Sequence, residues 1–298
     1  MGVLRVRDIA GWLEDAYPSA LAEDWDRVGL SVGDPDAQVD AVVLSVDVTD
    51  AVLAEAKRVG AQLIVSHHPL LLRGVHAVRA DDPKGRLLIE AIRSGIAVVS
   101  THTNADSAAD GVADALADAV GMGPRRPMLP HGSPDSTEGL GRVGQLSEPL
   151  TAAALAQRLA AAVPATVTGV RLGGDPKRRI ETVAVLGGAG DSLLEVAREL
   201  EVDCYVTGDL RHHRAQDFLA YADAPCLIDV PHWAAEWLWL PHAEALLQSR
   251  AKDAGRPVQT RVSTLVTDPW TGIFGSHPAL LSHEGTAHAA RAEGGPRA

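Results

Sequence analysis

Apolar residues in this chain fall into short unbroken runs separated by longer amphipathic stretches, the pattern of buried strands alternating with surface helices. Runs at 41–46, 61–66 and 96–100 lack polar alternation, which predicts strands covered on both faces. Between them, 50–59 and 84–94 carry apolar residues at helical spacing. Asp50 stands as an N-cap for the first helix, and Gly60 and Gly95 stand as stops. A helix over 7–16, with Ile9, Leu13 and Trp12 turned inward, precedes a loop at 23–30, and a helix over 108–120 ends at Gly121. This alternation predicts parallel βαβ units.

Residues 122–140 are rich in Pro, Gly and Ser and read as a connection. A strand at 142–146, a helix at 151–162 and a strand at 166–172 follow, then the turn signal Gly173-Gly174-Asp175-Pro176. From there the pattern of the first half returns. Val183-Ala184-Val185-Leu186 resembles Val42-Val43-Leu44-Ser45, the helix 190–200 resembles 50–59, and the strand 203–207 resembles 62–66. A repeat of this kind is an architectural signal. The expected fold is α/β, with two similar pseudo-symmetric lobes at 1–123 and 141–274 joined by a linker loop at 124–140. The segment 275–298, which holds His277, His283 and His288, has no apolar period and is expected to be a disordered tail.

A net charge of −12 argues against a nucleic-acid backbone as partner, although Arg125-Arg126 and Lys177-Arg178-Arg179 are locally basic. Cys204 and Cys226 both fall inside apolar runs and lack CxxC spacing, so they read as core thiols. The N-terminus carries no long apolar segment or cleavage pattern, and no run reaches membrane-spanning length, so a soluble cytoplasmic protein is expected.

The chemistry is concentrated where strands end. His67 and His68 follow the run 62–66, His102 and Asp106 follow 96–100, and His232 and Glu236 follow 226–230. Ligands in α/β sheets bind at the carboxyl ends of strands. Consecutive strand residues face opposite ways, so His67 and His68 converge only if the chain is already turning, which Pro69 encourages. Otherwise the pair is one buried and one surface histidine. His232 and Glu236 lie one helical turn apart, a spacing that suits two ligands of a metal as well as a helix-stabilising pair. Asp106 is either a ligand or the N-cap of the helix from Ala108. His102 is either a ligand or a group that orients one. A nitrogen and oxygen site without thiolate suits Zn, Mn, Fe, Co or Ni, and Asp106 and Glu236 are the candidate bridges.

The motifs taken in order resemble the Nif3-like family of dinuclear metal-centre proteins, some of whose members are named GTP cyclohydrolase 1 type 2 homologs. The resemblance runs over about residues 5–270 through Trp25-Asp26-Arg27-Val28-Gly29-Leu30, Ser66-His67-His68-Pro69-Leu70 and Thr101-His102-Thr103-Asn104-Ala105-Asp106. It continues through Gly141-Arg142-Val143-Gly144, Thr207-Gly208-Asp209-Leu210-Arg211-His212-His213 and His232-Trp233-Ala234-Ala235-Glu236. It implies metal ligands at His67, His68, Asp106, His232 and Glu236, with His102 and His213 lining the cleft. It also implies two divalent ions per subunit and a ring-shaped homohexamer, with no extra domain inserted in the short 122–180 segment. Arg27 stands where Asn is usual and Pro231 where Gly is usual.

The expected activity is therefore metal-dependent hydrolysis through an activated water. The substrate is a small molecule: a purine nucleotide by the family naming, or a phosphoester. His102 and His213 are the candidate proton shuttles. Arg27, Arg73 and Arg211 are candidate phosphate contacts, with surface solvation as their other reading. The alternative function is a non-catalytic protein that stores or delivers metal or serves as a regulatory platform. Trp233 and Trp237 share a helix face and could stack a base, but core packing is the expectation for them.

Overall fold

The computed structural model describes residues 3–274; the tail expected at 275–298 lies outside these residues. The first half runs α1 (Val6–Ala16), β1 (Gly29–Val32), β2 (Ala41–Ser45), α2 (Asp50–Val59), β3 (Leu63–Ser66), α3 (Pro83–Arg93), β4 (Ala97–Ser100), α4 (Thr103–Ser107) and α5 (Val112–Val120). The second half runs β5 (Met122–Arg126), β6 (Leu129–Pro130), β7 (Gly139–Leu140), β8 (Arg142–Thr151), α6 (Ala152–Ala162), β9 (Arg171–Gly173) and β10 (Arg179–Ala189). It ends with α7 (Leu194–Glu199), β11 (Cys204–Gly208), α8 (His212–Leu219), β12 (Cys226–Asp229), α9 (His232–Trp237), α10 (Leu240–Asp253) and β13 (Gln259–Val262). The α/β class read from the hydrophobic pattern is the class observed. No helix among the described residues is long and apolar enough to cross a membrane.

Two sheets carry the architecture. The first has the order β1-β4-β3-β2-β13 and the second β5-β8-β10-β11-β12-β9. In each, three consecutive parallel strands (β2, β3, β4 and β10, β11, β12) end beside an antiparallel edge strand, β1 or β9. The register explains why the candidate ligands meet. Ser45, Ser66 and Ser100 pair in one row across β2, β3 and β4, so the residues that follow them leave the sheet together at one edge. In the second sheet Thr207 pairs with Asp229, and Asp209 and His232 leave the same end of β11 and β12.

The short helix α9 lies between the two cores. Trp233 and Ala234 pack into the cluster formed by α1, α10 and one face of the first sheet. Ala235 packs into the cluster under α5, α6 and the second sheet. Trp233 is buried and Trp237 donates its indole N–H to the Ser263 carbonyl at 2.9 Å, so both serve packing as expected.

Several sequence expectations are corrected. The N-cap of α2 is Thr49, whose hydroxyl accepts from the Val52 amide, and not Asp50. The stretch 124–140 is not simply a linker loop, because β5 pairs with β8 along the edge of the second sheet. An edge position tolerates Pro124, which has no N–H to give. The strand expected at 166–172 shrinks to β9, since Gly169 at φ +61° and its amide bond to the Thr166 hydroxyl make a turn there. The boundary at 141–274 is crossed by β13, which joins the first sheet parallel to β2. A buried carboxylate anchors it: Glu55 accepts from Arg261 at 2.8 Å and from the Ser263 hydroxyl at 2.6 Å.

Candidate metal centre

His67 and His68 converge because the chain bends directly after β3. Their amides still bond to the Ser45 and Val46 carbonyls, but the Ser66 hydroxyl donates to the His68 carbonyl at 2.9 Å and curls the backbone round. Asp106 is neither in a loop nor an N-cap. It lies within α4, and α5 starts four residues later than the expected Ala108, after Gly111. A Cβ at Gly111 would sit 1.9 Å from the Ala105 carbonyl oxygen, so only glycine lets α5 leave α4 so closely. His232 and Glu236 project from one face of α9, as their spacing predicts.

All five residues meet. The His68 and His232 Nε2 atoms are 3.3 Å apart. Glu236 lies between the histidines, with Oε1 2.9 Å from His232 Nε2 and 3.5 Å from His67 Nε2, and Oε2 3.0 Å from His68 Nε2. Asp106 Oδ1 is 3.6 Å from His67 Nε2. A tetrahedral ion with nitrogen ligands at about 2.0–2.1 Å sets those ligands about 3.3 Å apart, so the His68–His232 spacing suits one cation. His102 joins from the first-sheet side, and one ring nitrogen from each of His67, His68 and His102 lies within 4.8 Å of the others.

The polarity of each imidazole is fixed from behind. His67 Nδ1 meets the Thr101 carbonyl at 2.9 Å, His68 Nδ1 meets Asp47 at 2.7 Å, His102 Nδ1 meets Asp26 at 2.8 Å, and His232 Nδ1 meets Asp209 at 2.8 Å. A carbonyl or ionised carboxylate only accepts, so each Nδ1 carries a hydrogen and each Nε2 is the nitrogen left to offer a lone pair once any proton on it is displaced. Asp209 is held at φ +53°, a strained conformation for a non-glycine residue, at the place where it reaches His232. Among the described residues four buried side-chain polar atoms lack a hydrogen-bond partner. Three of them, His67 Nε2, Asp106 Oδ1 and Glu236 Oε2, belong to this cluster. Glu236 Oε2 is near His68 but not aligned for a hydrogen bond. Burying such atoms unpaired is costly, and a cation would satisfy imidazole lone pairs and carboxylates together. These residues therefore fit a metal ion.

Protonation follows from the same crowding. Burial works to lower the pKa of His68, but Glu236 and Asp47 outweigh it and hold it up at about 10. Burial likewise opposes a charged His232, yet Glu236 and Asp209 push it to about 11. Burial, with the Glu236 charge, raises Asp106 well above the carboxylate range. Glu236 resists its own burial through the His232, His68 and His67 charges and stays well below that range. In the metal-free protein His68, His232 and Asp106 thus hold protons that a cation must displace. Metal loading is expected to release about two to three protons per chain and to tighten as pH rises through the neutral range. Calorimetric titration of zinc in buffers of different ionisation enthalpy checks this, and a heat independent of buffer would refute it.

Sequence reading missed the carboxylates Asp26, Asp47 and Asp209, and also Gly188. Nothing local marks the acids, whose partners lie 76, 21 and 23 residues away. Gly188 sits at φ +69°, and a Cβ there would come within 2.6 Å of Glu236 Oε1. Its signal is the Gly187-Gly188 pair at the end of an apolar run. His213 is exposed on α8, next to the His212 ring, and is not among the clustered histidines. A surface hollow of about 650 Å³ is lined by residues that include Arg73, His76 and Lys84 and by none of the cluster residues.

The sequence pattern of the family described as Duf34/NIF3 (NGG1p interacting factor 3) matches residues 4–269. The chain belongs to the DUF34/NIF3 family. A Streptomyces coelicolor relative named GTP cyclohydrolase 1 type 2 homolog is 43% identical over 92% of this chain and 96% of its own. A Mycobacterium tuberculosis relative of the same name is 35% identical over 90% of this chain and 97% of its own. Among solved structures, a Staphylococcus aureus hypothetical protein superposes with a TM-score of 0.82 at 27% identity, covering 91% of this chain and all of that one. A Bacillus cereus protein related to NIF3 gives 0.81 at 24% identity over 92% of this chain, a likeness of fold. The family membership and the α/β fold class expected from the sequence are thus found. Within this DUF34/NIF3 chain the His and Glu residues form groups that could hold a metal ion.

Proposed function

We propose that this chain is a metal-dependent hydrolase acting on a nucleotide or another phosphoester. The observation that carries the reading is the set of four imidazoles, each tied at Nδ1 to a fixed acceptor, whose Nε2 atoms gather beside the buried Glu236 and the half-buried Asp106. His67, His68, Asp106, His232 and Glu236 would hold two divalent cations drawn from Zn, Fe, Mn, Co and Ni. When bound, such ions supply a Lewis acid and a water of lowered pKa. The relatives' shared name supports a purine nucleotide as the substrate.

His102 is the proton carrier in this reading. Asp26 is buried, and burial alone would raise its pKa, but hydrogen bonds from His102 and Thr103 keep it far below the carboxylate range. The ionised Asp26 accepts the Nδ1 hydrogen of His102 and the Thr103 amide. His102 is thereby fixed in one tautomer and one orientation, and Nε2 takes or returns a proton at the cluster, the task an orienting carboxylate performs in hydrolytic triads. His213 has no part in this arrangement within one chain. The assembly that accompanies the reading is a homohexamer, which light scattering would test.

The decisive experiment is elemental analysis of protein purified without chelator, followed by turnover of GTP and of simple phosphoesters with the metal found. Replacing His102 with Asn should lower kcat by about 100- to 10,000-fold while metal content stays unchanged. Stoichiometric metal with no turnover of any phosphoester would favour storage, delivery or a regulatory role instead.

A further inference from the structure

Trp25 is the largest exposed aromatic beside the cluster. It is 56% exposed, and its ring stands at 80° to the His102 imidazole with centroids 5.8 Å apart. His102 in turn lies 5.2 Å from the His67 ring and 5.4 Å from the His68 ring. The indole is thus one ring removed from the residues that would hold metal. Trp233 and Trp239 are buried, and Trp237 is half-buried and bonded to Ser263, so they offer no face to a ligand at this place.

The exposure of Trp25 does not come from a loose loop. The Asp26 amide closes a turn on the Glu23 carbonyl, and the Glu23 amide donates to the Thr103 hydroxyl at 2.9 Å. Asp26 itself is buried and bonded to His102 and Thr103. The residues on both sides of Trp25 are therefore pinned to α4 and its cap, and the indole is held in water. Arg27 projects from the same turn, fixed by its bonds to the Asp24 and Asp26 carbonyls, and adds an exposed cation two residues away. A held indole edge-on to an imidazole, with an adjacent guanidinium, matches a ligand with a flat ring and an anionic group.

We propose that Trp25 is a specificity-determining residue of this site, stacking the planar heteroaromatic ring of a phosphate-bearing substrate beside His102. The inference rests on the hydrolase reading above and names the residue that would distinguish a nucleotide from a phosphoester without a base. Stacking on an aromatic is worth enough that its removal weakens binding about 10- to 100-fold. The contribution is independent of the phosphates, which bind by charge.

The test is calorimetric titration of the zinc-loaded protein with GTP and with inorganic tripolyphosphate, on wild type, Trp25→Phe and Trp25→Ala. The wild type should bind GTP more tightly than tripolyphosphate. Trp25→Ala should lose about 10- to 100-fold for GTP with tripolyphosphate unchanged, and Trp25→Phe should stay within a few-fold of wild type. Zinc content and oligomer mass should be the same in all three. Equal wild-type affinity for the two probes, or equal losses for both in Trp25→Ala, would overturn the stacking role and leave a phosphoester hydrolase standing. A change of oligomer mass without a change in GTP affinity would assign Trp25 to a subunit interface instead. Failure of both probes to bind wild type would overturn this proposal together with the nucleotide and phosphoester reading.

Discussion

Replacing Glu236 with Gln is expected to cost the protein its metal. Gln keeps the size of the buried side chain and so preserves the packing of α9 between the two cores. What it removes is the one carboxylate that reaches His67, His68 and His232 together. Loss of residues that merely orient ligands weakens metal binding about 10- to 100-fold, and loss of a central ligand should cost at least about 100-fold. Elemental analysis after dialysis should therefore find the variant largely empty where the wild type is loaded; unchanged metal content would sink the proposed ligand set. The pH dependence of the metal-free proteins gives a second check. The raised pKa values of His68 and His232 contribute stability that is fully present below 6.5 and lost as pH rises through about 10 and 11. The depressed pKa of Glu236 contributes stability present above 4.5 and lost as pH falls. Because Glu236 is a leading cause of both histidine shifts, Glu236→Gln should flatten the alkaline limb of the stability profile. A profile identical to wild type would contradict the coupling.

Arg142→Met should be the most destabilising single change outside the centre. Arg142 is 2% exposed, and its guanidinium is saturated. It donates to Asp114 at 3.1 Å and to the carbonyls of Gly139, Gly141 and Ala108 at 2.8, 2.7 and 2.7 Å. Arg125 holds the other Asp114 oxygen. Removing one partner of a buried pair costs about 3–5 kcal/mol, because the remaining charge stays desolvated. Met fills much of the volume, so the loss reports polar groups and not a cavity. The Ala108 carbonyl lies two residues past Asp106, so this arginine also ties the Asp106 helix to β8 and the second sheet. Urea unfolding of metal-free protein measures the loss. A change below about 1 kcal/mol would show that the network contributes little beyond what water could supply.

The sequence by itself determined the central parallel strands of both sheets, most of the helices between them and the residue types of the centre. Runs such as Leu63–Ser66 and Ala97–Ser100 are apolar without alternation because both faces are covered, and glycines such as Gly60 and Gly121 end helices through a backbone conformation other residues avoid. His67, His68, His102, His232 and Glu236 were legible because each follows a strand end; level register aligns those of the first sheet, and the packing of α9 between the two cores brings His232 and Glu236 to them. Local pattern did not reveal which sheet a late strand joins. β13 lies beside β2, and the buried carboxylate Glu55 anchors it there through Arg261 and Ser263, more than 200 residues away. Nor did local pattern mark Asp26, Asp47 and Asp209, since an acid in a loop looks the same whether it faces water or an imidazole. His213 carried a motif but is exposed on α8, apart from the cluster. Tertiary structure alone decided which nitrogen of each histidine is tied back and which is free, because a ring's polarity is set by the acceptor behind it and that acceptor arrives from elsewhere in the chain.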